Sequence, residues 1–163
     1  MPMPGDNRQD PWVAALGRVT SGMYLLTVTH DGRETGMLAT FVSQGGFAPP
    51  TVTVAVEKSR PVNEWLKAGA SAVLNVLAAG DKATLTHFGK GFPLDADAFD
   101  GVNVDRALSK APVLKDAVAY LELALHDSAG AGDHTVYIFE VHGGALLSEA
   151  EPAVHTRHAG LHY

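Results

Sequence analysis

The 163-residue chain contains no cysteine, which excludes disulfides, thiol nucleophiles and thiolate-bound metal. It also lacks any apolar run near the roughly 18 residues that a membrane-spanning helix needs. Basic residues are few: 12 Lys and Arg stand against 18 Asp and Glu, a formal net charge of −6. An acidic surface releases no counterions from a polyanion, so neither nucleic acid nor an anionic membrane is an expected partner. Glycine-rich fingerprints of the GxGxxG or GxxxxGK[ST] kind are missing, so a nucleotide would have to be held by other means. The opening MPMPGDNRQDP has no apolar signal core. Residues 1–10 read as a frayed lead-in and residues 11–163 as one domain, with a cytoplasmic location expected.

What is present suits a globular domain. Hydrophobic residues make up 46% of the chain and charged residues 18%, enough to bury about 70% of the unfolded surface. Asp10-Pro11 reads as an N-cap followed by proline at the first helical position, opening a short helix through Trp12, Leu16 and Val19. Met23 to His30 alternates as a strand and ends in His30-Asp31-Gly32-Arg33, a hairpin turn signal. The stretch GMLATFVSQGGFAPP, Gly36 to Pro50, is then the return strand, and Thr51 to Glu57 is another, with Val52, Val54 and Val56 on one face. Ser59 with Pro61 opens a helix over 62–68 that Gly69 ends. Ser71 to Leu77 is a strand, and Asp81 caps a helix to about Phe88. Gly89 to Pro112 reads as a long loop with one short helix near Asp105 to Lys110. Ala117 to His126 alternates, a Ser128–Gly132 turn follows, and His134 to His142 is the last strand. Six strands without regular strand–helix alternation exclude a Rossmann-type sheet. The fold class expected is mainly β (α+β): an antiparallel six-stranded barrel with a few flanking helices.

Four constellations carry chemistry, each with two readings. Thr40, Ser43 and Gln44 offer hydrogen-bonding side chains near a strand end, and Gly45-Gly46 exposes unshielded amides. They form either a bulged surface hairpin end or a cradle for phosphate oxygens or a heterocycle's polar edge. In Glu57-Lys58-Ser59-Arg60-Pro61 a strand feeds a helix entrance with a hydroxyl and two cations. That is either a solvated, capped helix or an anion site. Asp133-His134-Thr135 begins a strand after a glycine-rich turn. His134 is either a hydrogen-bonded structural residue or a near-neutral histidine donating to a substrate. The tail HTRHAGLHY spaces His155, His158 and His162 by three and four, but Gly160 breaks that helix and no nearby carboxylate completes a ligand set, so no metal site is assigned.

The order and spacing of GRVTSGMYLLTVTHDGRETGMLATFVSQGGFAPPTVTVAV, EKSRP, SAVLNVLAAGDKATLTHFGKGF and GDHTVYIFEV resemble the flavin reductase-like family with the FMN-binding split-barrel fold. The resemblance runs from about Trp12 to Tyr163. MLATFVSQ and AVHTRHAGLHY are similar to the flavin reductase module at the C-terminus of some flavodiiron proteins. This chain has no room for their other modules, so a free-standing relative is expected. The resemblance implies FMN, or FAD, in a groove on a homodimeric split barrel, with NADH or NADPH as hydride donor to flavin N5. It implies Leu38, Ala39, Thr40 and Phe41 along the ribityl-phosphate arm, and Ser43, Gln44, Gly45 and Gly46 at the ring's polar edge. Lys58, Ser59 and Arg60 would grip the phosphate, Phe88 would pack near the cofactor, and His134 would position nicotinamide or flavin. Where most relatives carry Ser or Thr this chain has Leu38 and Phe41. Reduced flavin or electrons would pass to an oxygenase partner or another acceptor. The rival readings are a non-catalytic FMN-binding electron-transfer or storage module, and a pyridoxine-phosphate-type oxidase or haem-linked relative on the same barrel.

Overall fold

A computed structural model describes residues 10–162; the lead-in expected before Asp10, and Tyr163, lie outside the described residues. A short helix α1 (Pro11–Leu16) precedes β1 (Ser21–Gly22), β2 (Tyr24–His30), β3 (Arg33–Ala39), β4 (Val42–Phe47) and β5 (Pro50–Glu57). Helix α2 (Asn63–Lys67), β6 (Ser71–Val76) and helix α3 (Lys82–Gly89) follow. The chain then forms β7 (Val104–Arg106), β8 (Pro112–Leu114), β9 (Ala119–Ala131), β10 (His134–Leu146) and β11 (Val154–His155).

Seven strands form one antiparallel sheet in the order β3-β2-β6-β9-β10-β5-β4. Its two outermost strands are consecutive in sequence: only Thr40 and Phe41 separate Ala39 of β3 from Val42 of β4. The three Cα–Cα steps from Ala39 to Val42 reach no further than about 11 Å, so the sheet must curl until its ends adjoin. Phe41 makes the crossing, its carbonyl accepting from the amide of Ala55 on β5 at 2.9 Å. Counted as one bent strand, β3 and β4 restore the six strands expected, and the sheet is a split barrel open along the β3 edge. The strand periodicity of Gly36 to Phe47 conceals this change of partner.

Two apolar clusters account for the curl. Inside, Leu26, Val28, Val52, Val54, Val56 and Phe139 pack together, and Trp65 and Leu66 of α2 plug one end. Outside, Leu25, Phe88, Phe99 and Leu114 pack between β2, α3 and the segment after it. Strand β2 is therefore buried on both faces at Leu25 to Val28. The tight turn at Asp31-Gly32 has positive φ at both positions, 50° and 74°, as a two-residue hairpin requires. Gly36 admits α3 to the sheet: a Cβ there would stand 2.9 Å from the Phe88 ring.

Several local expectations are corrected. Helix α1 ends at Leu16, short of Val19, and Asp10 accepts from the Trp12 indole instead of capping the helix. Ser59 caps nothing in α2. Asn63 holds that turn, its Nδ2 donating to the carbonyls of Glu57 and Arg60 at 2.8 Å each. Asp81 caps α3 as expected, accepting from the Thr84 amide at 3.0 Å. No helix forms at Asp105 to Lys110; β7 and β8 make a small hairpin there, turning at Lys110 with φ 73°. Ser128 to Ala131 continue β9, so the turn before His134 shrinks to Gly132-Asp133. None of the helices among the described residues is long and apolar enough to cross a membrane.

Candidate functional site

Curling the sheet leaves a groove along the β3–β4 joint, made of cavities that share walls. The largest, about 800 Å³, is bounded by Thr40, Phe41, Ser43, His134, Arg157 and Leu161. A narrower one of about 180 Å³ runs on past Leu38, Ala39, Thr40, Arg60, Phe88 and His155. Thr40 and Glu57 line both. A third, about 290 Å³, continues from Arg60 and Gly91 to Lys90 and Phe92. The groove thus has a wide, partly apolar end and a narrow end with a cation, dimensions usual for small-molecule sites.

Secondary structure delivers His134 to the wide end. It is the first residue of β10, paired with Glu57 of β5 and Ala131 of β9. Its Nδ1 lies 2.6 Å from Asp133 Oδ1, and only 14% of its side chain is exposed. The hydrogen bond to His134, aided by charge, holds the Asp133 carboxyl below its usual range. The imidazole packs 5.4 Å from the Phe41 ring, and the Arg157 guanidinium lies 5.0 Å from that ring's centre. Lys58 ties the same corner together: its amide donates to the Asp133 carbonyl at 2.8 Å and its Nζ to the Gly132 carbonyl at 2.7 Å.

The joint also carries unsatisfied polar groups. Thr40 is only 6% exposed, and its Oγ1 has no hydrogen-bond partner among the described residues. The same holds for the buried Nε2 of His155. Burial first, and the Arg157 charge second, lower the His155 pKa from its ordinary value. Two buried orphans beside one cavity are uncommon in a native fold and point to an absent partner.

Of the expected site residues, Leu38, Ala39, Thr40, Arg60 and Phe88 gather at the narrow cavity, and Thr40, Phe41, Ser43 and His134 at the wide one. Gln44 turns toward a different cavity shared with Tyr24 and Leu121. Gly45 and Gly46 sit at a bulge against Thr51, at the far end of β5 from Glu57. The eight residues of β5 span about 25 Å, so the glycine pair and the Lys58–Arg60 turn do not converge. Lys58 and Ser59 are exposed at that turn. The sequence alone gives His155 no role beyond that of one of three tail histidines and does not place Arg157, yet both line the groove. The overlooked signal was Gly160, whose amide donates to the Val13 carbonyl at 2.8 Å and docks the tail on α1.

The profile described as "Flavin reductase like domain" matches residues 16–160. The chain belongs to the flavin reductase-like family. Among curated relatives, diflavin flavoprotein A 1 of Synechocystis sp. is 38% identical over 151 residues, covering 91% of this chain. The alignment spans only 26% of that relative's length. Among solved structures, the NADH:FAD oxidoreductase SgcE6 of Streptomyces globisporus superposes with a TM-score of 0.82 at 29% identity, over 88% of this chain and 85% of that one. The flavin reductase PheA2 gives 0.75 at 26% identity, over 88% and 90%.

Proposed function

We propose that this protein is an NAD(P)H:flavin oxidoreductase that binds FMN along the groove between Arg60 and His134. The observation that carries the proposal is the continuity of that groove through Thr40, whose buried hydroxyl lacks a partner. Family membership and the likeness to SgcE6 and PheA2 support the same reading. The phosphoryl end fits beside Arg60, with Lys58 and Ser59 at the adjoining turn. The extended arm fits against Leu38, Ala39 and Thr40, with Phe88 beneath, and the ring fits the wide cavity against Phe41 and Ser43. Gln44, Gly45 and Gly46 stand off the groove and take no part in this arrangement. The third cavity, beyond Arg60, leaves room for the second nucleotide of FAD.

Bound there, the flavin supplies a two-electron acceptor for the donor's hydride. The protein's own work is placement. His134, braced by Asp133, orients the nicotinamide by a hydrogen bond. Arg157, held over Phe41, attracts the donor's phosphates. Val19, Val42 and Leu161 add apolar wall to that cavity. No proton need move for hydride transfer, so His134 acts as a positioning residue for the two rings. Reduced flavin or electrons then pass to an acceptor, an oxygenase partner being the class the family suggests. The homodimer that family membership suggests would have exposed Phe47 and Leu146, 88% and 67% accessible, as candidate contacts; light scattering at micromolar concentration checks it.

Anaerobic mixing with FMN and either NADH or NADPH should bleach the flavin absorbance. Bound flavin without bleaching by either nicotinamide would instead identify a storage or electron-transfer module. His134→Ala should lower turnover by about ten- to a hundredfold with flavin affinity unchanged.

A further inference from the structure

We propose that Thr40 and His155 form a hydrogen-bonding pair that recognises the hydroxyl-bearing chain of the flavin, making this protein selective for flavins that carry one. The inference rests on the flavin reading above and goes beyond it by assigning a tail residue to the cofactor site. Both side chains line the narrow cavity. Thr40 Oγ1 and His155 Nε2 are both buried without a partner among the described residues. Apart from Glu57 and Arg60, the remaining wall is largely apolar, with Met23, Leu38, Ala55 and Val56, and neither orphan is hydrogen-bonded to any part of it. Leaving either orphaned is costly, and a ligand that satisfies both recovers that cost on binding.

The shape and chemistry of the cavity select the ligand moiety. At about 180 Å³, between a cavity of about 800 Å³ and the Arg60 turn, it suits a slender linker between a wide ring and an anionic end. A linker of hydroxyl groups answers both orphans at once, because each hydroxyl donates and accepts. Depression of the His155 pKa keeps the imidazole neutral near pH 7, able to meet a hydroxyl in either role. His155 reaches this place through β11, where it pairs with Ser21 of β1. The strand is short, but it fixes the side chain over the β3–β4 joint.

Two flavins separate this contact from the rest of the site: riboflavin, which has the polyol but no phosphate, and lumiflavin, which has the ring and a methyl group. Titrations followed by flavin fluorescence should give the wild-type protein at least tenfold preference for riboflavin. Thr40→Val and His155→Leu should each weaken riboflavin about five- to tenfold and leave lumiflavin unchanged, collapsing the preference. His155→Gln, which keeps a donor and an acceptor, should restore part of it. Equal wild-type affinity for the two flavins overturns the proposal without any variant, as does a loss that is the same for both ligands. Failure of the wild type to bind either flavin overturns the flavin reading itself.

Discussion

Asn63 sits where one amide serves three partners. Its Nδ2 donates to the carbonyls of Glu57 and Arg60, while its Oδ1 accepts from the buried Tyr137 hydroxyl at 2.7 Å. The groove's cationic end is thereby fixed to the barrel interior. Tyr137→Phe removes one donor and should cost about 1–2 kcal/mol in urea unfolding, and it should loosen Arg60 enough to weaken FMN more than lumiflavin. Asp133 acts on the opposite end through His134. Asp133→Asn should lower turnover while flavin affinity and the unfolding midpoint stay near wild type, a split that a purely structural residue would not produce. His155 gives a pH signature. Its folded pKa lies below the ordinary 6.5, so the folded state binds fewer protons than the unfolded chain in that interval. The stability linked to it is present above about pH 6.5 and is lost as pH falls toward the lowered value. Urea midpoints should therefore drop between pH 7.5 and 5.5, and His155→Gln should flatten that slope.

At the scale of elements, the tail from Val154 to His162 behaves as a strap over the groove, supplying His155 to one cavity and Arg157 and Leu161 to the other. Its seating depends on two close approaches to α1. A Cβ on Gly17 would stand 2.9 Å from the Arg157 carbonyl, and one on Gly160 would collide with Leu16. Gly17→Ala should release the strap and expose the Arg157 peptide bond to trypsin, and should raise the KM for nicotinamide more than it alters the barrel's melting. None of this docking is visible locally, because a glycine that breaks a helix and one that receives a helix read alike in sequence. Asp31-Gly32 and Asp81 were legible because turn and cap chemistry is contained in three or four residues. The Thr40–Phe41 crossing was not, since side-chain alternation continues through a change of hydrogen-bonding partner. The β7–β8 hairpin escaped for a different reason: three-residue strands carry too little periodicity to stand out from a Gly-, Asp- and Pro-rich loop. Of the residues lining the groove, Leu38 to Phe41, Ser43, Arg60, Phe88 and His134 could be anticipated from the sequence, and those brought there by the tail could not.

For the whole molecule, the barrel gains rigidity from its interior cluster but remains unpaired along one edge of β3. A ligand that binds only the folded form at a hundred times its Kd adds about 2.7 kcal/mol. In a domain of this size FMN should then raise the melting temperature by roughly 5–10 °C, measured by differential scanning fluorimetry or calorimetry. The gap between β3 and β5 gives that stabilisation a location. Whatever occupies the groove touches both lips of a cylinder that its own backbone leaves unbuttoned, so it serves as a clasp. Opening of the wall and departure of the occupant then become a single event, and amide deuteration at Ala39 and Val42 should slow together as flavin is titrated in.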